Sequence, residues 1–255
     1  MRFASLGSGS TGNALLVECG STRLLIDCGF SVREVSSRLA RLGLRLDNLT
    51  GILVTHEHGD HAGGVFRCAR QFGLPVWLSG GTFKACGDEA AGADCRIIDS
   101  HSTLTIGQFD IFPFPVPHDA REPVQFVFSD GNLRLGLLTD AGEVTPHMCA
   151  MLSGCDGLIL ECNHDAAMLA NSSYPAALTR RIGGRLGHLE NAAAASLLAR
   201  IDTSRLRHLV AAHLSERNNL PELAARSLSS VLGCAPDWIG VACPKIGFGW
   251  RSLED

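Results

Sequence analysis

Histidine and acidic side chains cluster within residues 55–61, which read Thr-His-Glu-His-Gly-Asp-His. Imidazole nitrogens and carboxylate oxygens are the donors that borderline divalent metals take. His56 and His58 are two residues apart, so in an extended segment their side chains face the same way. Asp60 and His61 follow in the turn and can face a second ion. A His-rich polar loop is the alternative, but packing these groups together without a partner costs desolvation, so the spacing predicts a metal site.

Further candidate ligands come directly after apolar runs elsewhere in the chain. They are His118, Asp140 and His213. A lone histidine after a strand is usually incidental. Here all three residues follow an apolar run directly, as the 55–61 cluster does. Because the carboxyl ends of parallel strands meet at one edge of an α/β sheet, we expect these side chains to converge there.

The elements that must position these side chains are short apolar runs separated by helical periodicity. Several runs are apolar throughout, which is typical of strands buried on both faces. The predicted strands are 15–17 and 24–26, paired about a turn at 19–22, then 52–54, 76–78, 109–114, 126–128, 135–138, 157–160 and 209–212, with two more within 238–251. The predicted helices are 32–42, 191–201 and 221–232. Strands alternating with crossover helices indicate an α/β fold.

Composition limits the class of protein. The chain has 255 residues, of which 45% are hydrophobic and 19% charged, so a sizeable core is expected and long disordered segments are not. No linker divides the chain, and we predict a single domain over 1–255. The net charge of −4 excludes a strongly basic nucleic-acid footprint but says nothing about a local basic patch. Ten cysteines without a C-x-x-C pair, no signal peptide and no run long enough for a membrane span predict a cytoplasmic protein with no membrane partner.

Taken in order, Asp27, the 55–61 cluster, His118, Asp140 and His213 resemble the motif series of the metallo-β-lactamase superfamily over nearly the whole chain. The resemblance implies a four-layer αββα sandwich that holds two divalent metal ions. The implied ligands are His56, His58 and His118 for one ion, Asp60, His61 and His213 for the other, and Asp140 for both. Asp27 would orient the ligands from behind. The implied chemistry is attack by a metal-bridging hydroxide, with Asp60 able to accept the water's proton.

Five segments narrow the resemblance to the YycJ/WalJ family, a bacterial group of nucleases with this fold. They are Ser-Gly-Ser-Thr-Gly-Asn at 8–13, the 55–61 cluster, Leu-Glu-Cys-Asn-His-Asp at 160–165, Gly-His-Leu-Glu-Asn at 187–191 and Ala-His-Leu-Ser-Glu-Arg-Asn-Asn at 212–219. The resemblance implies a 5′→3′ exonuclease with DNA as its partner. Glu190 departs from the family's pattern, in which serine is expected, and its carboxylate would repel a phosphate. The gap between Asp140 and His213 is too short for the β-CASP insertion of the long-insert ribonuclease branch.

His188 is the candidate residue for contacting the scissile phosphate or protonating the leaving oxygen. In the related tRNA 3′-processing branch, a histidine at a similar distance before the last ligand touches the scissile phosphate or protonates the leaving oxygen. Residues 187–191 predict the start of a helix, whose dipole favours an anion, and simple capping by His188 is the alternative. Glu161 ends an apolar run and could hydrogen-bond His188.

Candidate substrate contacts lie in a glycine-rich loop and beside the predicted site. The loop 8–13 contains G-x-G-x-x-G, but a strand follows it, so it is not a dinucleotide fingerprint. Its backbone N–H groups, with Ser8, Ser10 and Asn13, could bind a phosphate, and a tight turn is the alternative. His164 is a further candidate contact because it lies near the predicted site edge.

The substrate class depends on two features. Asp140, where many lactamases have cysteine, favours a phosphoester, although thioesterases of the glyoxalase II type share this carboxylate. Arg180, Arg181 and Arg185 precede His188 and favour a polymeric anion, with a solvated loop as the alternative. The leading hypothesis is therefore a dinuclear metal-dependent phosphodiesterase acting on DNA. A small-molecule hydrolase (a cyclic phosphodiesterase or a thioesterase) and a non-catalytic metal-stabilised module are the other hypotheses, and the sequence does not choose between Zn and Mn.

Overall fold

Two seven-stranded mixed sheets form the centre of the computed structural model, which describes residues 1–254. The first sheet, in spatial order, contains β14 (Phe248–Ser252), β1 (Arg2–Gly7), β2 (Ala14–Cys19), β3 (Thr22–Ile26), β4 (Gly51–Leu53), β5 (Val76–Ser79) and β6 (Cys95–Ile98). The second contains β13 (Gly240–Val241), β12 (His208–Ala212), β11 (Gly157–Glu161), β10 (Arg134–Leu138), β9 (Val124–Ser129), β8 (Phe109–Pro115) and β7 (Leu104–Ile106). Strands β3 to β6 and β10 to β13 run parallel, and the remaining pairs are antiparallel.

Helices cover the outer faces of both sheets. In the sequence, the helices that lie between strands of the first sheet are α1 (Val32–Ala40), α2 (Gly59–Ala62), α3 (Val65–Phe72) and α4 (Gly80–Cys86). The second carries α5 (Pro146–Leu152), α6 (Ala166–Ala170), α7 (Ala176–Ile182), α8 (Asn191–Leu198) and α9 (Pro221–Leu232). Short 3₁₀ turns lie at Leu46–Asn48, Gly87–Ala90 and Pro236–Trp238. The predicted four-layer αββα sandwich is confirmed.

Alternate residues of one strand pack into different layers. In β11, Ile159 joins Phe126 in the core between the sheets, whereas Leu158 and Leu160 join Leu197 of α8 in the outer core. Burial on both faces explains the continuous apolar run of this strand. Each such buried side chain contributes about 1.5–3 kcal/mol of hydrophobic stabilisation.

The structure contains strands β6 and β7 and helices α2 to α7, which the sequence analysis does not predict. Three further differences concern β1, the C-terminal strands and the start of α8. Strand β1 was not predicted, because Arg2–Gly7 is rich in small residues and leads into a glycine-serine loop. The two strands expected within 238–251 are present, but β13 and β14 belong to different sheets and do not form a hairpin. Helix α8 begins at Asn191, so residues 187–190 are a loop and His188 does not lie on a helix N-terminus.

No helix in residues 1–254 is both long enough and apolar enough to cross a membrane.

Candidate metal centre

The seven predicted ligands meet at the carboxyl ends of the parallel strands. The 55–61 cluster follows β4, His118 follows β8, Asp140 follows β10, and His213 follows β12. All seven therefore reach the same edge of the sandwich, where α/β folds place their sites.

Three residues at this edge have left-handed backbone conformations. They are Asp27 (φ +60°), Asp140 (φ +53°) and His213 (φ +55°), the non-glycine residues with positive φ within 1–254. Such a conformation costs about 1–3 kcal/mol and persists only where the surrounding structure enforces it. The backbone turns sharply at the end of each strand, and this strain is concentrated at the candidate centre.

The first group of donors contains only imidazoles. His56 Nε2 lies 3.0 Å from His58 Nδ1, and His118 Nε2 lies 3.3 Å from the same atom. One nitrogen from each ring therefore points to a common centre, which one metal ion fits. We call these three residues the histidine half.

The second group of donors includes a carboxylate. Asp60 Oδ2 lies 3.5 Å from His61 Nε2 and 3.5 Å from His213 Nε2. The three donor atoms again lie close enough together to hold one ion. We call Asp60, His61 and His213 the acidic half.

Asp140 lies between the two halves. Its Oδ2 is 3.1 Å from His61 Nε2, and its Oδ1 is 3.5 Å from His213 Nε2 and 4.0 Å from His118 Nε2. A single carboxylate thus reaches both groups, as a bridging ligand must.

Asp27 orients the acidic half from behind. Its Oδ2 accepts a hydrogen bond from His61 Nδ1 at 2.8 Å, which leaves Nε2 of that ring facing the centre. Both carboxylate oxygens of Asp27 also accept from Thr55, through the backbone N–H and the hydroxyl, at 2.8 Å each. Thr55 Oγ1 in turn lies 2.9 Å from His56 Nδ1. Sequence reasoning gave Thr55 no role, although its position between a strand and the first histidine was visible.

One further ring is fixed through the nitrogen that faces away from the centre. His118 Nδ1 donates to the carbonyl of Gly187 at 2.9 Å, whereas His213 Nδ1 lies 3.6 Å from Glu161 Oε1, beyond hydrogen-bond distance. Contacts of this kind set the tautomer and the ring orientation of metal-binding histidines.

Two inward-facing atoms are left without hydrogen-bond partners among the described residues. His213 Nε2 is buried and unpartnered, and Asp140 Oδ2 approaches His61 outside hydrogen-bonding geometry. Orphaned buried acceptors are costly unless a ligand satisfies them. A nitrogen and oxygen donor set with free inward lone pairs fits divalent cations such as Zn or Mn.

The two groups of donors differ in the pKa of their histidines. Burial lowers the pKa of His56 well below its usual value and lowers that of His118. Burial also opposes protonation of His61, but Asp140 and Asp27 raise its pKa well above the usual value. For His213, burial is outweighed by Asp140, Asp60 and Glu161, which raise the pKa to about 10.

His188 and Glu161 form a pair beside Asp140. His188 Nδ1 lies 2.8 Å from Glu161 Oε1 and 3.3 Å from Asp140 Oδ1, so the expected hydrogen bond to Glu161 is present. Glu161 Oε2 accepts from the backbone N–H of Ala141 at 2.8 Å, which holds the carboxylate in place. Burial opposes protonation of His188, but Glu161 raises its pKa. The loop fixes His188, whose backbone N–H donates to the carbonyl of Ile182 at 2.8 Å.

The glycine-rich loop packs against the centre and its polar groups contact the centre's own residues. Ser8 Oγ accepts from the backbone N–H of His213 at 2.9 Å, and Asn13 Nδ2 lies 3.2 Å from Asp60 Oδ2. The N–H of Gly9 donates to Asn13 Oδ1, and that of Gly12 to the carbonyl of Gly9. These contacts favour the tight-turn interpretation of the loop and give Ser8 and Asn13 a positioning role.

The remaining predicted contacts differ in their exposure. Ser10 is exposed at the tip of the loop. His164 is 3% exposed, and its carbonyl accepts from the N–H of Asn191 at 2.9 Å. The neighbouring Asn163, which sequence reasoning left without a role, donates through Nδ2 to the carbonyl of His213 at 3.0 Å. His164 thus lies in the wall of the site, behind the groups that face the centre.

Comparison with known proteins agrees with this geometry. The beta-lactamase superfamily domain matches residues 22–213. Exodeoxyribonuclease YycJ of Bacillus anthracis is 38% identical over 236 residues, which cover 91% of this chain and 89% of the relative. Exodeoxyribonuclease WalJ of Streptococcus pneumoniae (strain D39) is 34% identical over 245 residues, which cover 94% of this chain and 91% of the relative.

A solved structure gives the same fold. The metallo-β-lactamase fold protein YhfI from Bacillus subtilis superposes with a TM-score of 0.75 at 18% identity, covering 98% of both chains. With the family match and the two relatives, this shows that the chain belongs to the YycJ/WalJ family of the beta-lactamase superfamily and is a metal-dependent hydrolase.

Proposed function

We propose that this protein is a dinuclear metal-dependent phosphodiesterase that shortens DNA from its 5′ end. The observation that carries the proposal is the pair of donor groups, the histidine half and the acidic half, joined by Asp140 and flanked by His188. The printed names of the two relatives, both exodeoxyribonucleases, support DNA as the substrate. A DNA substrate and ten free thiols support a cytoplasmic location.

The proposed ligand assignment follows the two halves. His56, His58 and His118 would hold one ion, Asp60, His61 and His213 the other, and Asp140 both. Two bound divalent ions, Zn or Mn, would supply Lewis acidity that activates a water molecule and stabilises charge on phosphorus.

Asp60 is the carboxylate placed to accept a proton. Its side chain is 26% exposed, whereas that of Asp140 is 3% exposed and lies between the two donor groups. Asn13 fixes the Asp60 oxygen by a 3.2 Å contact. Asp60 can therefore meet a water molecule from the open side while keeping a constant orientation.

In this proposal His188 protonates the leaving oxygen. Glu161 occupies its Nδ1, which leaves Nε2 for the substrate, and the side chain is 21% exposed. A buried carboxylate behind the ring favours the protonated form that a general acid needs. Cleavage would then leave a protonated sugar hydroxyl and a phosphate monoester.

One observation favours the alternative of a small phosphodiester or thioester substrate. Two of the three clustered arginines are neutralised, because Arg181 contacts Asp119 and Arg185 contacts Glu143. The pairing reduces the positive charge that the arginine cluster can offer to a polymeric anion. The chain as a whole carries a net charge of −4, so little other positive charge compensates for this loss.

The first test compares polymeric nucleic acids with a small phosphodiester as substrates. Duplex DNA labelled at either end, single-stranded DNA, RNA and bis-p-nitrophenyl phosphate are incubated with the protein and Mn or Zn. Loss of label from the 5′ end before the 3′ end supports the proposal. Asp140→Ala should lower the rate on the order of a thousandfold or more, because a lost bridging ligand removes several kcal/mol of transition-state stabilisation.

Asp237→Ala, a change at an exposed aspartate, is the matched control and should keep full activity. Cleavage of the small diester without shortening of DNA would retain the chemistry but reject the DNA substrate. Equal activity of Asp140→Ala and wild type would reject the dinuclear mechanism.

A further inference from the structure

Two exposed arginines near the centre are paired with carboxylates, whereas Arg121, Arg180 and Arg217 make no ion pair among residues 1–254. Of these three, Arg217 is the one that packs against an aromatic ring. Arg181 donates to Asp119, and Arg185 makes hydrogen bonds of 2.8 and 2.9 Å to Glu143. Such exposed pairs present little net charge to a polyanion. Arg217, in contrast, is exposed and has no acidic partner within salt-bridge distance in the described part of the chain.

Arg217 is held by an aromatic ring rather than by a carboxylate. Its guanidinium carbon lies 5.6 Å from the centroid of the ring of Tyr174, the one tyrosine of the sequence. A guanidinium at this distance is attracted to the ring but keeps its full positive charge and its fork of N–H donors. The contact therefore restrains the arginine without neutralising it.

The segment that carries Arg217 is fixed to the wall of the metal centre. The N–H of Ser215 donates to the carbonyl of Asn163 at 2.8 Å, and the N–H of Asp165 donates to the carbonyl of Asn218 at 2.8 Å. These bonds tie both sides of Arg217 to the stretch that follows β11. The arginine is four residues beyond the candidate ligand at the end of β12, in an exposed segment that is hydrogen-bonded to the residues lining the wall of the centre.

We propose that Arg217, presented by Tyr174, binds a phosphate of the DNA strand other than the phosphate that is cleaved. This inference rests on the proposed function. A planar guanidinium matches phosphate oxygens with two parallel hydrogen bonds, which a strand of DNA offers at every nucleotide. A small diester carries only the reacting phosphate, so Arg217 would distinguish a polymer from it.

The test measures KM and kcat on duplex DNA at several salt concentrations for wild type, Arg217→Ala, Arg217→Lys and Arg200→Ala. Losing one charge-assisted phosphate contact should raise KM about tenfold in Arg217→Ala, with a much smaller change in kcat. The slope of log KM against log salt should become shallower by about 0.9, because one fewer counterion is released. Arg217→Lys keeps the charge and should retain the wild-type slope.

Arg200 is the matched control, since it is exposed and follows the distal end of α8. Arg200→Ala removes the same charge and should leave KM and its salt slope unchanged. The loss in Arg217→Ala should also be about tenfold larger on DNA than on bis-p-nitrophenyl phosphate.

Two results would overturn the inference, and they are distinguishable. If Arg217→Ala matches Arg200→Ala in KM and salt slope while wild type degrades DNA, Arg217 is not a phosphate contact and the proposed function stands. If wild type hydrolyses the small diester but does not degrade DNA, the proposed function fails and the inference fails with it.

Discussion

The two halves of the proposed metal centre each take two residues from the 55–61 cluster and a third from elsewhere in the chain, but they differ in charge. In the histidine half, burial lowers the pKa of His56 and of His118, so these imidazoles are neutral donors. In the acidic half, carboxylates outweigh burial and raise the pKa of His61 and of His213. The comparison teaches that the neighbouring groups, and not the histidines alone, set the character of each half, because carboxylates outweigh burial at His61 and His213 but not at His56 and His118.

This difference affects the choice of metal. Three imidazoles suit a borderline ion such as Zn, whereas a half that contains carboxylate oxygens suits a harder ion such as Mn. The two halves can therefore differ in the ion that each binds best, and substitutions within each half should separate them.

The largest effect is expected from removing one ligand in each half. His58→Ala and His61→Ala should each lose one metal equivalent and lower the rate on the order of a thousandfold. Excess Mn should restore part of the activity of His61→Ala, because Asp60 and Asp140 still offer oxygen donors there. It should restore less of the activity of His58→Ala, whose half keeps two imidazoles beside Asp140, because the nearby Asp119 is paired with Arg181.

Metal content by mass spectrometry and activity against Mn concentration check this prediction. His101→Ala, at an exposed histidine away from the centre, is the control. Equal rescue of the two variants by Mn would show that the halves do not differ in metal preference.

A smaller loss is expected at His188. The structure places its ring near Asp140, Glu161 and His213 in a geometry that could also hold an ion. If it acts as the general acid, His188→Ala should keep both metal equivalents and lose about a hundredfold in rate on DNA. The loss should be smaller on bis-p-nitrophenyl phosphate, whose leaving group needs little protonation.

Metal content and the ratio of rates on the two substrates are the measurements, with His147→Ala as the exposed control. Loss of a metal equivalent in His188→Ala would show that this residue is a metal ligand and would contradict the general-acid assignment.

Convergence of the ligands could be predicted because it depends on local signals. Each ligand follows an apolar run, and parallel strands bring their carboxyl ends together. The cluster 55–61 also contains Thr55, whose hydroxyl links Asp27 to His56, but sequence spacing does not reveal such a contact.

Features that depend on distant pairing could not be predicted. Strand β1 lies between β2 and β14, which comes from the other end of the chain, and β13 joins the opposite sheet. Neutralisation of Arg181 and Arg185 likewise depends on acidic residues from other loops. The basic cluster that the sequence predicts is therefore partly neutralised. Arg180 and Arg217 both lack an ion pair among the described residues, and Arg217 also packs against Tyr174.

The smallest effect is expected from Asp27, which contacts His61 of the acidic half directly and reaches the histidine half only through Thr55. Asp27→Asn keeps the size of the side chain, and asparagine tolerates the left-handed conformation that this position has at φ +60°. The change removes the charge that orients His61 through the 2.8 Å hydrogen bond to Nδ1. Affinity for the ion in the acidic half should fall about tenfold, as is typical when an outer hydrogen-bond partner of a ligand is lost.

Titration with a competing chelator separates the two binding events and measures both affinities. The binding step that His61→Ala abolishes belongs to the acidic half, and its affinity should fall in Asp27→Asn. The affinity of the step that His58→Ala abolishes should stay the same. A shift in the histidine half instead would mean that Asp27 acts through Thr55 and His56, since the Thr55 hydroxyl contacts both Asp27 and His56 Nδ1. Either shift would show which half of the centre this carboxylate orients.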